Sequence, residues 1–169
     1  DDELKDKEYL LFKNLLACKD ILNNFEIIPQ TMPPYPWHQG GRAYHNLLRS
    51  VESILRLNEE TDLRICLDFS HTFMNCHYSK TSFEQAIEEL IPITSHMHIS
   101  DSSSSSNEGL NINEGSINFE KVFKITSIYN KDNKLSFIPE IWQGHFNDGE
   151  GFRVALKRIG NYIKEEKNT

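Results

Sequence analysis

The chain has 169 residues, and 18 lysines and arginines against 25 aspartates and glutamates give a formal net charge of −7. A field of that sign repels phosphate backbones and disfavours general nucleic-acid binding. Hydrophobic residues make up 38%, enough for one core. No apolar run approaches the ~20 residues of a membrane span, so a cytoplasmic protein with no membrane partner is expected. The three cysteines, Cys18, Cys66 and Cys76, are odd in number and widely spaced; they form no disulfide framework and no CxxC knuckle.

The first residues, Asp1-Asp2-Glu3-Leu4, carry no initiator Met and no signal-peptide core. The chain enters at once into a helical pattern with Leu4, Leu11, Phe12, Leu15, Ile21 and Leu22 near 3.6-residue spacing. Such a start is expected of a piece of a longer polypeptide. Phe25 to Pro29 is predicted as a strand, followed by a Pro-rich loop from Gln30 to Trp37. A helix carrying Leu47, Leu48, Val51, Ile54 and Leu55 comes next. Leu63 to Leu67 is the second predicted strand and leads into Asp68-Phe69-Ser70-His71. The following helix opens at Ser82, which has capping-box spacing to Gln85, and buries Phe83, Ala86, Ile87, Leu90 and Ile91. His96 to Ile99 is the third strand. A polar loop with five serines, Ser102 to Ser106, is expected to be flexible, with a lid as the alternative. A helix from about Asn118, a fourth strand over Leu135 to Ile138 and a last helix with Phe152, Ala155, Leu156, Ile159 and Ile163 complete the chain.

Strictly alternating strands and helices predict an α/β fold with a parallel sheet and right-handed crossovers, as a single domain over 1–169. The βα units start near 25, 64, 95 and 135, a spacing close to the ~31 residues per unit of a full (β/α)8 barrel. Four such units make half a barrel. Neither GxGxxG nor GxxxxGKS follows any strand, which removes the nucleotide-binding signatures of an open sheet.

Functional groups in parallel α/β folds gather where strands end. Here the strand ends carry Gln30, then Asp68 with His71 one turn later, then His98 with Asp101 beyond, then Glu140. Asp, His and Glu converging on one rim offer the nitrogen and oxygen donors of a divalent-metal site for manganese, zinc, cobalt or iron, with magnesium less suited to imidazoles. Each residue also has a plainer reading: Asp68 as a cap of the next turn, His98 as a hydrogen-bonded strand histidine, Glu140 in an ion pair. His96 points to the same side as His98 but deeper, and is read as structural. Trp37 and Trp142 are candidate walls for a sugar ring. Arg42, with His38 and His45, is a candidate contact for an anionic sugar or phosphate, and His145 lies in the final loop as a further substrate contact.

The segments Leu67-Asp68-Phe69-Ser70-His71, His98-Ile99-Ser100-Asp101, Ile112 to Ile117 and Pro139-Glu140 resemble four consecutive motifs of the xylose isomerase-like TIM barrels. That superfamily includes sugar and sugar-phosphate isomerases and epimerases together with endonuclease IV-type nucleases. The resemblance runs from about residue 25 to 165 and corresponds to strands five to eight, the C-terminal half of the barrel. It implies metal ligation by Asp68, His98 and Glu140, with Glu140 as the catalytic base and His71 as a further ligand or a catalytic substrate-orienting residue. Gln30 stands where the family places a glutamate; its amide can contact substrate or metal but cannot take a proton at neutral pH. The implied activity is proton transfer next to a carbonyl in a sugar or sugar phosphate, with the metal polarising the oxygens. Gln30 and the half-length also fit a non-catalytic half-barrel that binds a sugar or a partner. Asn107 and Gly109 stand where a three-metal nuclease would carry Asp and His, which weakens that reading. A half-barrel leaves sheet edges open, so an N-terminal half or a second copy is the expected partner.

Overall fold

A computed structural model describes residues 2–36, 44–130 and 135–166. Three parallel strands, β1 (Ile65–Asp68), β2 (Thr94–Ile99) and β3 (Ser136–Pro139), lie in the order β1-β2-β3. Helices α1 (Asp2–Ile21), α2 (Val51–Thr61), α3 (Phe69–Ser79), α4 (Phe83–Leu90), α5 (Phe119–Asn130) and α6 (Phe146–Glu166) alternate with them. This is the alternating parallel architecture the spacing predicts. Leu57, Leu67, Ile87, Ile99, Val122 and Ile159 fill the interior between sheet and helices, each fully buried and each stabilising the fold by roughly 1.5–3 kcal/mol. No described helix is long and apolar enough to cross a membrane.

The ends of the helices follow local chemistry. Ser50 caps α2 by accepting from the Ser53 N–H, and Ser82 caps α4 by accepting from the Gln85 N–H, both at 3.2 Å. On α1, Phe12 is buried beneath the Arg56 guanidinium, and Glu8 pairs with Ser53 and Arg56.

Several expectations are corrected. The predicted first strand over Phe25 to Pro29 contracts to a single parallel bridge between Gln30 and Cys66. Pro29 has no N–H to donate; its carbonyl accepts from Cys66 N at 2.8 Å, the Thr31 N–H donates to Cys66 O at 3.0 Å, and the Thr31 hydroxyl accepts from Asp68 N at 2.9 Å, which holds the segment to β1. Leu47 and Leu48 precede α2 instead of riding on it; Leu48 adopts a positive φ of 54°, which no helix continues. Helix α3 was not anticipated. It buries Phe69, Ser70, Thr72, Met74, Asn75 and Cys76, so it shows no one-sided apolar stripe for periodicity to detect. Ile21 at the end of α1, Leu22 just past it and Leu156 on α6 are exposed despite their place in the helical pattern.

Candidate metal centre at the strand ends

Strand register builds the site. In β1 and β2, Cys66 pairs with His96 and Asp68 with His98; in β2 and β3, His96 pairs with Ser136 and His98 with Ile138. Since side chains alternate, one face of the sheet presents Cys66, His96 and Ser136 in a lower layer, then Asp68 and His98. Glu140 follows Ile138 by two residues on that face and is anchored by its N–H donating to Ile99 O at 3.1 Å.

Asp68, His98 and Glu140 each bring one ligand atom to within 4.8 Å of the others. Asp68 is buried and also caps α3, its Oδ1 accepting from the His71 N–H at 2.8 Å. The capping reading therefore holds; it occupies one carboxylate oxygen and leaves Oδ2 facing the rim. Gln30 donates to that Oδ2 at 2.9 Å. Glu140 Oε2 lies 2.7 Å from His98 Nδ1, and Asp68 Oδ2 lies 3.7 Å away. The Glu140 contact is close but poorly aligned with the ring N–H direction, and the buried Nδ1 has no hydrogen-bond partner of good geometry. A buried nitrogen beside two carboxylates without an aligned bond is a donor set that could hold a divalent cation.

The charges of these side chains shift one another's protonation. Burial pushes the Asp68 carboxyl up to about 6, against the pull of His71. The Cys66 thiol and the Glu140 carboxylate beside it raise the His98 imidazole to about 10. In return, the His98 ring holds Glu140 down at about 2. Burial opposes charge on His71, but the Asp68 and Glu108 carboxylates and the Thr31 carbonyl outweigh it and raise the ring to about 9.

His71 stands beside the three-residue group, outside it. Its Nδ1 is 3.0 Å from Thr31 O and 3.4 Å from Asp68 Oδ2, and its Nε2 is 3.4 Å from Glu108 Oε2. Glu108 was missed in the sequence; it sits at the end of the serine loop, and only its charge beside Gly109 marked it. A cleft of about 370 Å³ opens over these groups, lined by Asp68, His71, Glu108, Glu140, Trp142 and His145 among others. Gln30, Asp68, His71, His98 and Glu140 are thus brought together, and His145 lies on the same cleft. Trp37 and Arg42, with His38, lie outside the described residues. His45 stacks on Tyr35 at 4.9 Å and contacts Pro34 O at 3.3 Å.

The serine loop is fastened at both ends. Asp101 and Leu110 form an antiparallel bridge, and the buried Asp101 carboxylate accepts from the N–H groups of Ser102, Gly115 and Ile117. The Gly109 N–H donates to Ser70 Oγ at 3.3 Å, and Gly109 O accepts from Trp142 N at 2.8 Å. Asn107 donates to Ser103 at the surface, so neither Asn107 nor Gly109 brings a ligand to the rim.

A sequence profile described as the xylose isomerase-like TIM barrel matches residues 6–162. Among solved structures, a D-tagatose 3-epimerase-like protein superposes with a TM-score of 0.70 at 18% identity, over 98% of this chain and 56% of that one. The 3-keto-D-glucoside 4-epimerase of E. coli gives 0.65 at 15% identity, over 94% and 55%. An L-ribulose 3-epimerase gives 0.58 at 17% identity, over 85% and 48%. The chain spans about half the length of these proteins, and at such identities the likeness speaks for the fold. No curated protein sequence matches the chain.

Proposed function

The chain belongs to the xylose isomerase-like TIM barrel family, and from that premise we propose that its strand-end rim is the divalent-metal site of a sugar or sugar-phosphate isomerase or epimerase. The observation that carries this reading is the convergence of Asp68, His98 and Glu140 within 4.8 Å, with His98 Nδ1 lacking an aligned partner. Asp68, His98 and Glu140 would hold the ion, and the chemistry it would supply there is Lewis-acid polarisation of a sugar carbonyl. Glu140, half exposed on the cleft and kept ionised, takes the proton from the carbon next to that carbonyl. Gln30 cannot share this work; its amide fixes Asp68 Oδ2 instead. The His71–Glu108 pair, on the same cleft, orients substrate hydroxyls and holds a proton at His71 Nε2. Trp142, 63% exposed, offers an apolar wall to the sugar ring, and His145 a polar contact.

Manganese titration by calorimetry tests the site. Asp68→Ala and Glu140→Ala are each expected to weaken binding by more than about 100-fold, beyond the 10–100-fold typical of outer-shell losses. Unchanged affinity in both variants would rule the site out.

Gln30 in place of a carboxylate favours a second reading, a half-barrel that binds a sugar without turnover. Deuterium wash-in from heavy water into a panel of ketoses separates the two: exchange dependent on Glu140 supports catalysis, and metal binding without exchange supports the binding reading. The complementary strands of the barrel would come from an N-terminal half or a second copy. On the lumen side of β3 Ile138 is 45% exposed, and β3 pairs only with β2 among the described residues. Light scattering on the isolated chain distinguishes these partners: a dimer supports the second copy, and a monomer that dimerises with no copy of itself directs the search to the other half.

A further inference from the structure

One layer below the rim, the same sheet face carries a second donor set of different chemistry. Cys66 on β1 is a free, buried thiol paired in register with His96 on β2. Cys66, His96 and His98 each bring one ligand atom to within 4.8 Å of the others. Around a tetrahedral ion with bonds of about 2.0–2.3 Å the donors stand roughly 3.4–3.8 Å apart, so side-chain movements of about 1 Å close the set. His96 is already oriented: its Nδ1 lies 2.7 Å from Ser136 Oγ, and its Nε2 has no hydrogen bond among the described residues. In metal sites the other nitrogen of a ligating histidine is usually held by a carboxylate, a backbone carbonyl or water; here the Ser136 hydroxyl takes that place. The His96 and His98 rings stand edge to face, 5.3 Å apart, and so do not stack their donors away from each other.

We propose that Cys66, His96 and His98 form a second metal site, selective for thiophilic ions such as zinc or cobalt, with solvent as the fourth ligand. One thiolate and two imidazoles favour these ions over manganese or magnesium, which take carboxylates and water. The site shares His98 with the rim. Ion chemistry therefore decides which layer fills: a hard ion takes Asp68, His98 and Glu140, and a thiophilic ion takes the layer beneath. The proposal stands independently of the catalytic reading, because Cys66 and His96 belong to the lower layer alone.

The test is a cobalt(II) titration of the full chain, followed by the sulfur-to-cobalt charge-transfer band in the near ultraviolet. The band is expected to saturate at one equivalent, to vanish in Cys66→Ser and to need at least about tenfold more cobalt in His96→Ala. It is expected to persist in Glu140→Gln and in Cys18→Ser, which removes the exposed thiol. Ser136→Ala, which frees the His96 ring, is expected to weaken the site by about tenfold. Absence of the band in the folded wild-type chain overturns the proposal. So does a band that survives Cys66→Ser, or one lost with Cys18→Ser. His96 is partly exposed, so His96→Ala keeps the test valid if Cys66→Ser does not fold; an unchanged titration in that variant also overturns it. Manganese affinity lost in Glu140→Gln while the cobalt band persists supports two donor sets that overlap at His98; manganese affinity unchanged in that variant counts against the rim alone.

Discussion

Asp68 and Asp101 make an instructive pair. Both are buried, at 1% and 0% exposure; Asp68 ends β1, and Asp101 lies two residues beyond the end of β2. Asp101 is enclosed by backbone: three N–H groups, from Ser102, Gly115 and Ile117, point at its two oxygens. Asp68 gives one oxygen to the start of α3 and turns the other toward Gln30, His71 and His98. The carboxylate with its capacity filled by main chain holds a loop in place; the one with capacity left over, facing imidazoles, is poised to hold something else. Burial alone does not distinguish them. The identity of their partners does.

The sharpest way to break this contrast is to delete each carboxylate. Asp101→Ala leaves three backbone donors without an acceptor and is expected to cost roughly 3–5 kcal/mol in urea unfolding, with manganese affinity per folded molecule retained. Asp68→Ala is expected to reverse the pattern, losing the metal while costing about 1 kcal/mol from the missing cap. Equal stability losses in the two variants, or retained metal binding in Asp68→Ala, would dissolve the distinction. A smaller effect is expected at Gly115, where an added Cβ would overlap the Asp101 carboxylate: Gly115→Ala is expected to destabilise the fold by about 1–3 kcal/mol, read from the same unfolding curves.

The subtlest difference is in pH dependence. Burial raises Asp68 to about 6 from an ordinary 3.8, so the folded metal-free chain holds that proton more tightly than the unfolded one. Its contribution to stability is present in full below 3.8 and is lost as pH rises through about 6. Compared with Asp68→Asn in a chelator, the wild-type chain is expected to lose stability between about pH 4 and 6. A flat difference over that range would show that burial does not govern the Asp68 carboxyl as described.

Much of this was legible in the sequence because periodicity and strand-end position carry it. Asp68, His98 and Glu140 could be placed on one rim because each ends a short apolar run, and the parallel register of β1, β2 and β3 follows from strict alternation with helices. What escaped had no local signature. The α3 helix is buried on nearly every side, so its apolar residues trace no stripe. Pro29 erased most of a strand whose hydrophobicity was otherwise adequate. Glu108 reaches His71 only because the loop's ends are tied down at Asp101 and Gly109, and Cys66 meets His96 only through strand register. Both are tertiary facts that single-chain spacing does not encode.

The most direct test of the central claim is anomalous scattering from crystals of the chain grown with manganese. The account predicts a peak bonded to Asp68, His98 and Glu140 and absent from crystals of Glu140→Ala. A manganese ion bound elsewhere, or one whose position is indifferent to Glu140, would contradict it.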